Sequence, residues 1–563
     1  MAESNYWMLG RRAMTRRGML RGALVGGTGL AASALIGCSS RGGKPASAPA
    51  AGGAAAQPGQ PAAGAPKRGG RLANTFGAAP PSFDVHREIT ALVPGALSPA
   101  FNQLLNFDPL IAQQGPKSVV PDLAEKWEIA ADGQTYTFHL VKNAKFHNGT
   151  AFTSADVKAS FQRQLSPPAG VVMPRGSQIQ AVKSIETPDT STLTLKLSRP
   201  MSPLSLLPIL AQSWMCIYSQ KDITGNFDFQ TKMNGTGPFR LKSADLTTLI
   251  AYDRNKDYHV KDRPYLDGVD YYTIPDASTL LAQIQAGAIN IASVSPAAFA
   301  TLKQVLGTKA EYQTIGLQTV SALNMNSKRG FFIDDRLRRA VALAYNKADA
   351  IKLLAQGEGD VGGYMLPGGA WALPKEELEK IDGYQPYSEA GLAEAKKLVA
   401  AAGIQSGATF TLLTATGQEN PNLFLADQFK KLDIKATLNV VDYNKQYDAL
   451  NNRNFDAFII SLAFFVDDPD SVYADHFLTN SPLNYSGVGS KAIDDLFLKQ
   501  STELDPQKRI ELVKNMEKLA LPQLSKLIFY YSRSRTVIQK AKDFVWPNHN
   551  ATNHRFENVW LDA

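Results

Sequence analysis

The chain has 563 residues, 44% of them apolar and 20% charged, the make-up of a globular protein long enough for two or three bodies with cores of their own. Its net charge of +8 is confined to the start: residues 1–37 carry five arginines against one glutamate, residues 38–68 carry Arg41, Lys44, Lys67 and Arg68 with no acid, and the remainder balances. No clustered positive surface is left in the body for phosphate backbones, which argues against nucleic-acid binding.

The first element is an address. Thr15-Arg16-Arg17-Gly18-Met19-Leu20-Arg21 precedes a Gly- and Ala-rich apolar stretch from Gly22 to Gly37, too short to span a membrane in comfort, and the stretch closes on Leu35-Ile36-Gly37-Cys38. This resembles a twin-arginine signal peptide ending in a lipobox. Arg16 and Arg17 would be the pair that is read, and the Cys38 thiol would take the lipid. A general secretory signal carrying two arginines is the other possibility. Residues 39–66 are almost wholly Gly, Ala, Pro, Ser and Gln. That composition buries no core and reads as a flexible tether. Nothing further along is apolar enough to cross a membrane.

In the body, Gln134 to Val141 alternates as a strand, with Tyr136, Phe138 and Leu140 on one side. Thr153-Ser-Ala-Asp156 is a capping-box pattern that opens a helix to about Leu165. Thr192 to Ser198 alternates again through Leu193, Leu195 and Leu197. Residues 109–230 therefore read as a small α+β unit. The second half reads as helices Asp335 to Tyr345 and Ser388 to Ala402, with Gly403 as a stop. A strand Thr409 to Thr414 follows. A helix near 423–432, a strand near 436–442, a helix near 443–451 and a strand near 455–461 complete an α/β unit.

Cys38 ends the targeting segment, so Cys216 has no partner in the mature chain. Set in Trp214-Met215-Cys216-Ile217-Tyr218, it reads as a buried, inert thiol. Arg336, Arg338 and Arg339 form a basic run on a helix and read as a solvated face. The seven histidines form no His-Glu-x-x-His pattern, and no cysteine pair has zinc spacing, so no metal site or cofactor is expected. His549 and His554 stand five apart in the C-terminal segment. The nucleophile elbow Gly-x-Ser-x-Gly is absent, so a serine hydrolase is not indicated.

A set of motifs in fixed order carries a resemblance. Pro121-Asp-Leu-Ala-Glu-Lys-Trp-Glu128 is followed by Asp132-Gly-Gln-Thr-Tyr-Thr-Phe-His-Leu140, Ala144-Lys-Phe-His-Asn-Gly149 and Phe152-Thr-Ser-Ala-Asp-Val157. Gly235-Thr-Gly-Pro-Phe239 comes next, then Asn324-Met-Asn326 with Asp334 to Tyr345. Asn454-Phe-Asp456, Asp468-Pro-Asp470 and Asn484-Tyr-Ser-Gly487 close the series. From about Gly69 to its end the chain resembles the extracytoplasmic solute-binding proteins of family 5, which serve dipeptide, oligopeptide and nickel importers.

The resemblance implies an α/β fold: a type II periplasmic-binding-protein clamp of two lobes, with a two-crossing hinge and an extra small α+β domain. Its domains would be the signal 1–38, the tether 39–68, lobe I from 69–108, 231–318 and 533–563, the extra domain 109–230, and lobe II 319–532. The chain would cross the hinge near Leu323–Asn326 and Phe529–Arg533. The implied function is capture of a small solute by clamp closure for an ABC importer's permease and ATPase, with no catalysis. The protein would be a monomer on the outer face of the cytoplasmic membrane or on the outer membrane, held there by its N-terminal lipid.

The resemblance also places the segment before Asp468-Pro-Asp470 at the cleft mouth. Peptide binders of the family use an acid there for the peptide ammonium, and here Phe465 stands at that position. Phe464 and Phe465 suit an apolar or ring-bearing ligand, although consecutive apolar residues at a strand end also pack inward. Asp467, Trp371, Trp214 and Tyr485 are the further ligand candidates. Trp371 is singled out because Leu366-Pro-Gly-Gly-Ala-Trp-Ala-Leu-Pro374 reads as a loop. The alternatives are a receptor or chaperone uncoupled from transport, a binder of chelated metal, and a hydrolase built on the clamp.

Overall fold

The computed structural model describes residues 65–562 apart from 77, 89–91, 169–170, 172, 417, 464–466, 482 and 549–553. The described residues lie in one compact unit that spans 56–563. The expected signal-peptide residues Arg16, Arg17 and Cys38, the expected cleft-mouth Phe464 and Phe465, and His549 lie outside the described residues.

Four antiparallel strands form the sheet of the small unit, in the order Ala124–Ile129, Thr135–Leu140, Thr192–Leu197, Val182–Asp189. The expected alternation sets its register, with Tyr136 opposite Leu195 and Phe138 opposite Leu193, all fully buried. The helix Ser154–Leu165 covers this face through Val157 and Phe161. Its capping box is in place, with the Asp156 carboxylate accepting from the Thr153 N–H at 2.8 Å. These side chains form an apolar core running from Leu104 to Ile217.

Ser213 to Tyr218 forms a wall between two cores. Met215 and Ile217 belong to the small unit's core, while Trp214, Cys216 and Tyr218 face a second core with Leu72, Phe101 and Phe239. Ser213–Met215 is a single 3-10 turn and Cys216 to Tyr218 is non-helical, with Cys216 at ψ 149°, so a single stretch serves both cores. The motif Gly235-Thr-Gly-Pro-Phe239 packs here, backbone on backbone. A Cβ at Gly237 would lie 2.4 Å from the Ala100 carbonyl carbon, so the approach requires glycine.

The large sheet runs Ile434–Val441, Ala408–Ala415, Ala457–Ala463, Glu311–Met325, Lys526–Ile538, Ile291–Ser293, Arg71–Phe76, Gly268–Thr273, Leu249–Arg254, Phe239–Asp245, with the short strand Gly359–Asp360 beside Lys526–Ile538. The helices Glu419–Lys430 and Tyr443–Asn451 make the crossovers between its parallel strands. The helix Glu389–Ala401 ends as expected, with Gly403 at φ +74°.

Two long antiparallel strands, Glu311–Met325 and Lys526–Ile538, run through the middle. Their ladder pairs Glu311 with Ile538 at one end and Asn324 with Lys526 at the other. The register slips between Gly316, opposite Arg533, and Val320, opposite Tyr531, and again between Ser321, opposite Tyr530, and Ala322, opposite Ile528. Such a bulge bends a strand pair. On the C-terminal strand the first slip falls inside the expected crossing at Phe529–Arg533. On the first strand both slips precede the expected Leu323–Asn326, where Leu323 and Asn324 are in regular ladder and Asn326 lies beyond the strand's end. On one side of the slip lies an apolar core of residues 320–531. On the other lie cores built from residues 72–101, 239–306 and 537–559.

Candidate functional site

The strand Ala457–Ala463 leads toward Asp467-Asp468-Pro469-Asp470 and the helix Pro469–His476. Asp468 caps this helix, accepting from the Asp470 N–H at 3.0 Å, and Pro469 takes the first helical position, where no N–H is needed. The same Asp468 carboxylate receives both terminal nitrogens of Arg509, at 2.8 and 2.9 Å. Asp470 lies deeper. Its carboxylate accepts from Gln500 Nε2 and Ser501 Oγ, each at 2.5 Å, and from the Ser205 hydroxyl of the small unit. Arg509 reaches it at 3.6 Å. Burial pushes the Asp468 carboxyl up to about 6 despite Arg509, since two carboxylates share one guanidinium.

Trp371 completes this corner. Its ring lies 4.8 Å from the Arg509 guanidinium and its Nε1–H donates to the Asp467 carbonyl at 2.8 Å. A buried acid holds the loop that carries it. Glu517 accepts from the N–H groups of Tyr364, Met365 and Leu373 at 2.6, 3.0 and 3.2 Å. Burial outweighs these donors and pushes its carboxyl up to about 7. Gly369 lies against Asp467, where a Cβ would come within 3.2 Å of the carboxylate.

The structure thus brings Asp467 and Trp371 together, Asp467 half-buried and Trp371 buried, while the other two candidates stand elsewhere. Trp214 is fully buried, with the Arg175 guanidinium 5.0 Å from its ring and its carbonyl accepting from Gln164 Nε2. Tyr485 packs edge-on against Phe458 and donates to Asn451 Oδ1 at 3.4 Å. Phe458 is paired with Asn324, roughly 16 Å along the strand from Ala463. Cys216 is buried, and burial pushes its thiol up, which keeps it in the thiol form.

In the arginine run Arg336 and Arg339 are exposed, as expected of a solvated face, and Arg338 is half-buried. Arg336 pairs with Asp334 and donates to the Ala401 carbonyl at 2.7 Å, closing the C-terminal end of a neighbouring helix. Arg338 donates to the Phe332, Ile333 and Gln523 carbonyls, and Arg339 pairs with Asp382. Among the described residues no group of three or more His, Cys, Asp or Glu could hold a metal ion.

Arg509 and Glu517 were not singled out in the sequence, although a signal was there. Both lie on the buried stripe Arg509, Val513, Met516, Ala520 of the helix Pro506–Ala520. A charge at an apolar-stripe position marks a buried ionic role. Ser205, alone in an apolar helix, carried no comparable signal.

Residues 118–483 match the profile of the bacterial extracellular solute-binding proteins, family 5 Middle. The dipeptide-binding protein of Escherichia coli K12 is 26% identical over 502 residues, covering 82% of this chain and 89% of that protein. Among solved structures, the periplasmic binding protein DppA of Helicobacter pylori in complex with the peptide STSA superposes with a TM-score of 0.76 at 23% identity, over 88% of this chain and 99% of that one. AgaA of A. tumefaciens R10, in complex with agropinic acid, gives 0.75 at 22% identity, over 88% and 99%.

Proposed function

Because the chain belongs to family 5 of the bacterial extracellular solute-binding proteins, we propose that it captures a small organic solute between two lobes and delivers it to the permease and ATPase of an ABC importer. One observation carries the mechanism. The paired strands Glu311–Met325 and Lys526–Ile538 join the apolar core of residues 320–531 to the cores beyond it through two closely spaced register shifts. A ligand that touches both lobes only when they are shut favours the shut state by the difference in its contacts, and no bond need break.

The lobes would be 69–108 with 231–318 and 533–563 on one side, and 319–532 on the other, with 109–230 as the extra domain. The separate apolar clusters support this division. On the bulge, Arg533 holds Asp360 with Nε at 2.8 Å from the carboxylate, and Arg535 pairs with Glu358. These pairs tie the strand Gly359–Asp360 across the bend and support a hinge there.

Relatives named for dipeptides, peptides and agropinic acid share the scaffold, so fold does not fix the ligand. Phe465, where the family's peptide binders carry an acid, favours a ligand without a free ammonium group, because desolvating an unpaired charge is costly. Phe464 and Phe465 would supply apolar contact, as would Trp371, which holds the Asp467 carbonyl, and Asp467 would be the polar contact. The protein works outside the cytoplasm, and Cys38 would anchor it there by lipid after export read from Arg16 and Arg17.

The test is a thermal-shift panel on the chain from Gly69 onward, stripped of carried-over ligand. The panel holds di- to pentapeptides, oligosaccharides, opine-like acids and nickel chelates. A ligand at about 100 times its dissociation constant adds roughly 2.7 kcal/mol, a shift of a few degrees. A shift with one class, with that ligand recovered unchanged, supports a binding protein and names its substrate class. Turnover of the ligand would overturn the reading. No shift across the panel would move weight to a chaperone.

A further inference from the structure

The small unit and the body of residues 320–531 are not consecutive in the chain, and their apolar clusters share no residue. They meet at a buried polar junction. The Ser202 N–H donates to the Ser501 carbonyl at 2.7 Å, and the Ser205 hydroxyl donates to the Asp470 carboxylate. Ser202, Ser205, Ser501 and Gln500 have no exposed surface, and Asp470 is 6% exposed. Ser202 begins the helix Pro203–Leu210, whose Leu206, Leu207, Ile209 and Leu210 belong to the small unit's core.

We infer that Ser205 and Asp470 form a latch that holds the small domain against lobe II when the clamp is shut, and that this is the work of Asp470 in the Asp-Pro-Asp motif. The inference rests on the clamp reading above. Three features carry it. The chain joins the two bodies only through lobe I, so the junction separates without any change in covalent connection. A permanent interface between bodies of this size is apolar, whereas this junction is made of hydroxyls, a carboxylate and backbone groups. Finally, Asp470 keeps Gln500 and Ser501 from its own body, so parting exchanges for water only the Ser205 hydroxyl at Asp470 and the Ser202 N–H at the Ser501 carbonyl. A buried hydrogen bond to a charged acceptor is strong while formed, yet its net worth over water is small enough for reversible use.

The arrangement also links the latch to the cleft mouth. Asp470, Asp468 and Trp371 all surround Arg509, and Trp371 holds the Asp467 carbonyl next to Phe464 to Val466.

Hydrogen exchange on the full chain tests this without ligand, comparing wild type with Ser205→Ala. The expected result is exchange on the order of ten- to a hundredfold faster at the Ser202 amide, with the amides of Phe161 and Val513, inside each body, unchanged. A rise in the scattering radius of gyration accompanies it. Asp470→Asn, which keeps the shape and removes the charge, repeats the pattern more weakly. Unchanged exchange at Ser202 in Ser205→Ala overturns the latch. So does a rise of equal size at Phe161 and Val513, which would make Ser205 a general stability residue. No solute enters this measurement, so its failure leaves the solute-binding reading standing, and an empty ligand panel leaves the latch standing.

Discussion

Arg509 lies with no exposed surface and grips both oxygens of Asp468, at 2.8 and 2.9 Å. With Asp470 at 3.6 Å, one cation serves two buried acids. Removing it leaves two carboxylates in a dry site, and breaking such a pair from one side costs about 3–5 kcal/mol. Arg509→Ala is therefore expected to lower the thermal midpoint by several degrees. Arg509→Lys should recover only part of this, because an ammonium cannot bridge both oxygens of Asp468 and reach Asp470 together. Equal stability of Arg509→Ala and wild type by calorimetry would show that the corner is solvated.

What the sequence disclosed follows from how local each device is. Tyr136, Phe138 and Leu140 announced their strand because one face is buried and the side-chain period is two. Ser388 and Gly403 marked the ends of their helix because caps are local chemistry. The hinge slip at Gly316–Val320 was not legible, because register is set against a strand some two hundred residues later. The carbonyl partners of the arginine run were hidden for the same reason. The carbonyl of Ala401 that Arg336 caps, and that of Gln523 below Arg338, arrive from distant elements. Trp371 was picked as a loop aromatic, and the loop is there. That it stacks on Arg509 depends on Glu517 holding its backbone, a contact that no spacing announces.

Glu517 makes a prediction about pH. Burial raises its carboxyl from 4.5 to about 7 in the folded protein. The native state thus keeps a proton that the unfolded chain has released. Stability from this group is full below the unfolded value near 4.5, and is lost as pH rises through about 7. The loss is on the order of 3 kcal/mol. Glu517→Gln keeps an acceptor for Tyr364 and Met365 but cannot titrate. Its Nε2 facing the Leu373 N–H adds a penalty that does not vary with pH. The wild-type-minus-variant stability should therefore fall between pH 4.5 and 7 in urea unfolding. A flat difference would mean that Glu517 is ionised throughout.

The N-terminal chemistry is tested in the cell. With Cys38 as the lipid site, Cys38→Ser should move the protein from the membrane fraction to the soluble extracytoplasmic fraction, since one lipidated residue is its whole attachment. Among the described residues no helix is long and apolar enough to cross a membrane. Arg16→Lys with Arg17→Lys separates the export routes. Loss of export marks the twin-arginine path, and unchanged export marks the general secretory one. Retention of Cys38→Ser in the membrane fraction would place the anchor elsewhere.

Phe465 makes a prediction about the ligand class. It follows the strand Ala457–Ala463 and precedes Asp467, whose carbonyl is fixed by Trp371. Peptide binders of the family place an acid at this position to pair a free ammonium, and an aromatic ring cannot replace a carboxylate in a dry cleft. A ring there instead favours an apolar or planar ligand, and a stacked aromatic in a closed cleft supplies more than a kcal/mol. Phe465→Ala is expected to weaken the affinity for whichever ligand the thermal panel identifies by more than about tenfold, measured by calorimetry, with the ligand-free melting temperature nearly unchanged. A lower melting temperature with intact affinity would put the ring in the core of the second lobe. If free peptides prove to be the ligand and Asp467→Asn abolishes their binding while Phe465→Ala does not, then Asp467 is the ammonium partner and the departure at Phe465 is only a shift of the acid by two residues.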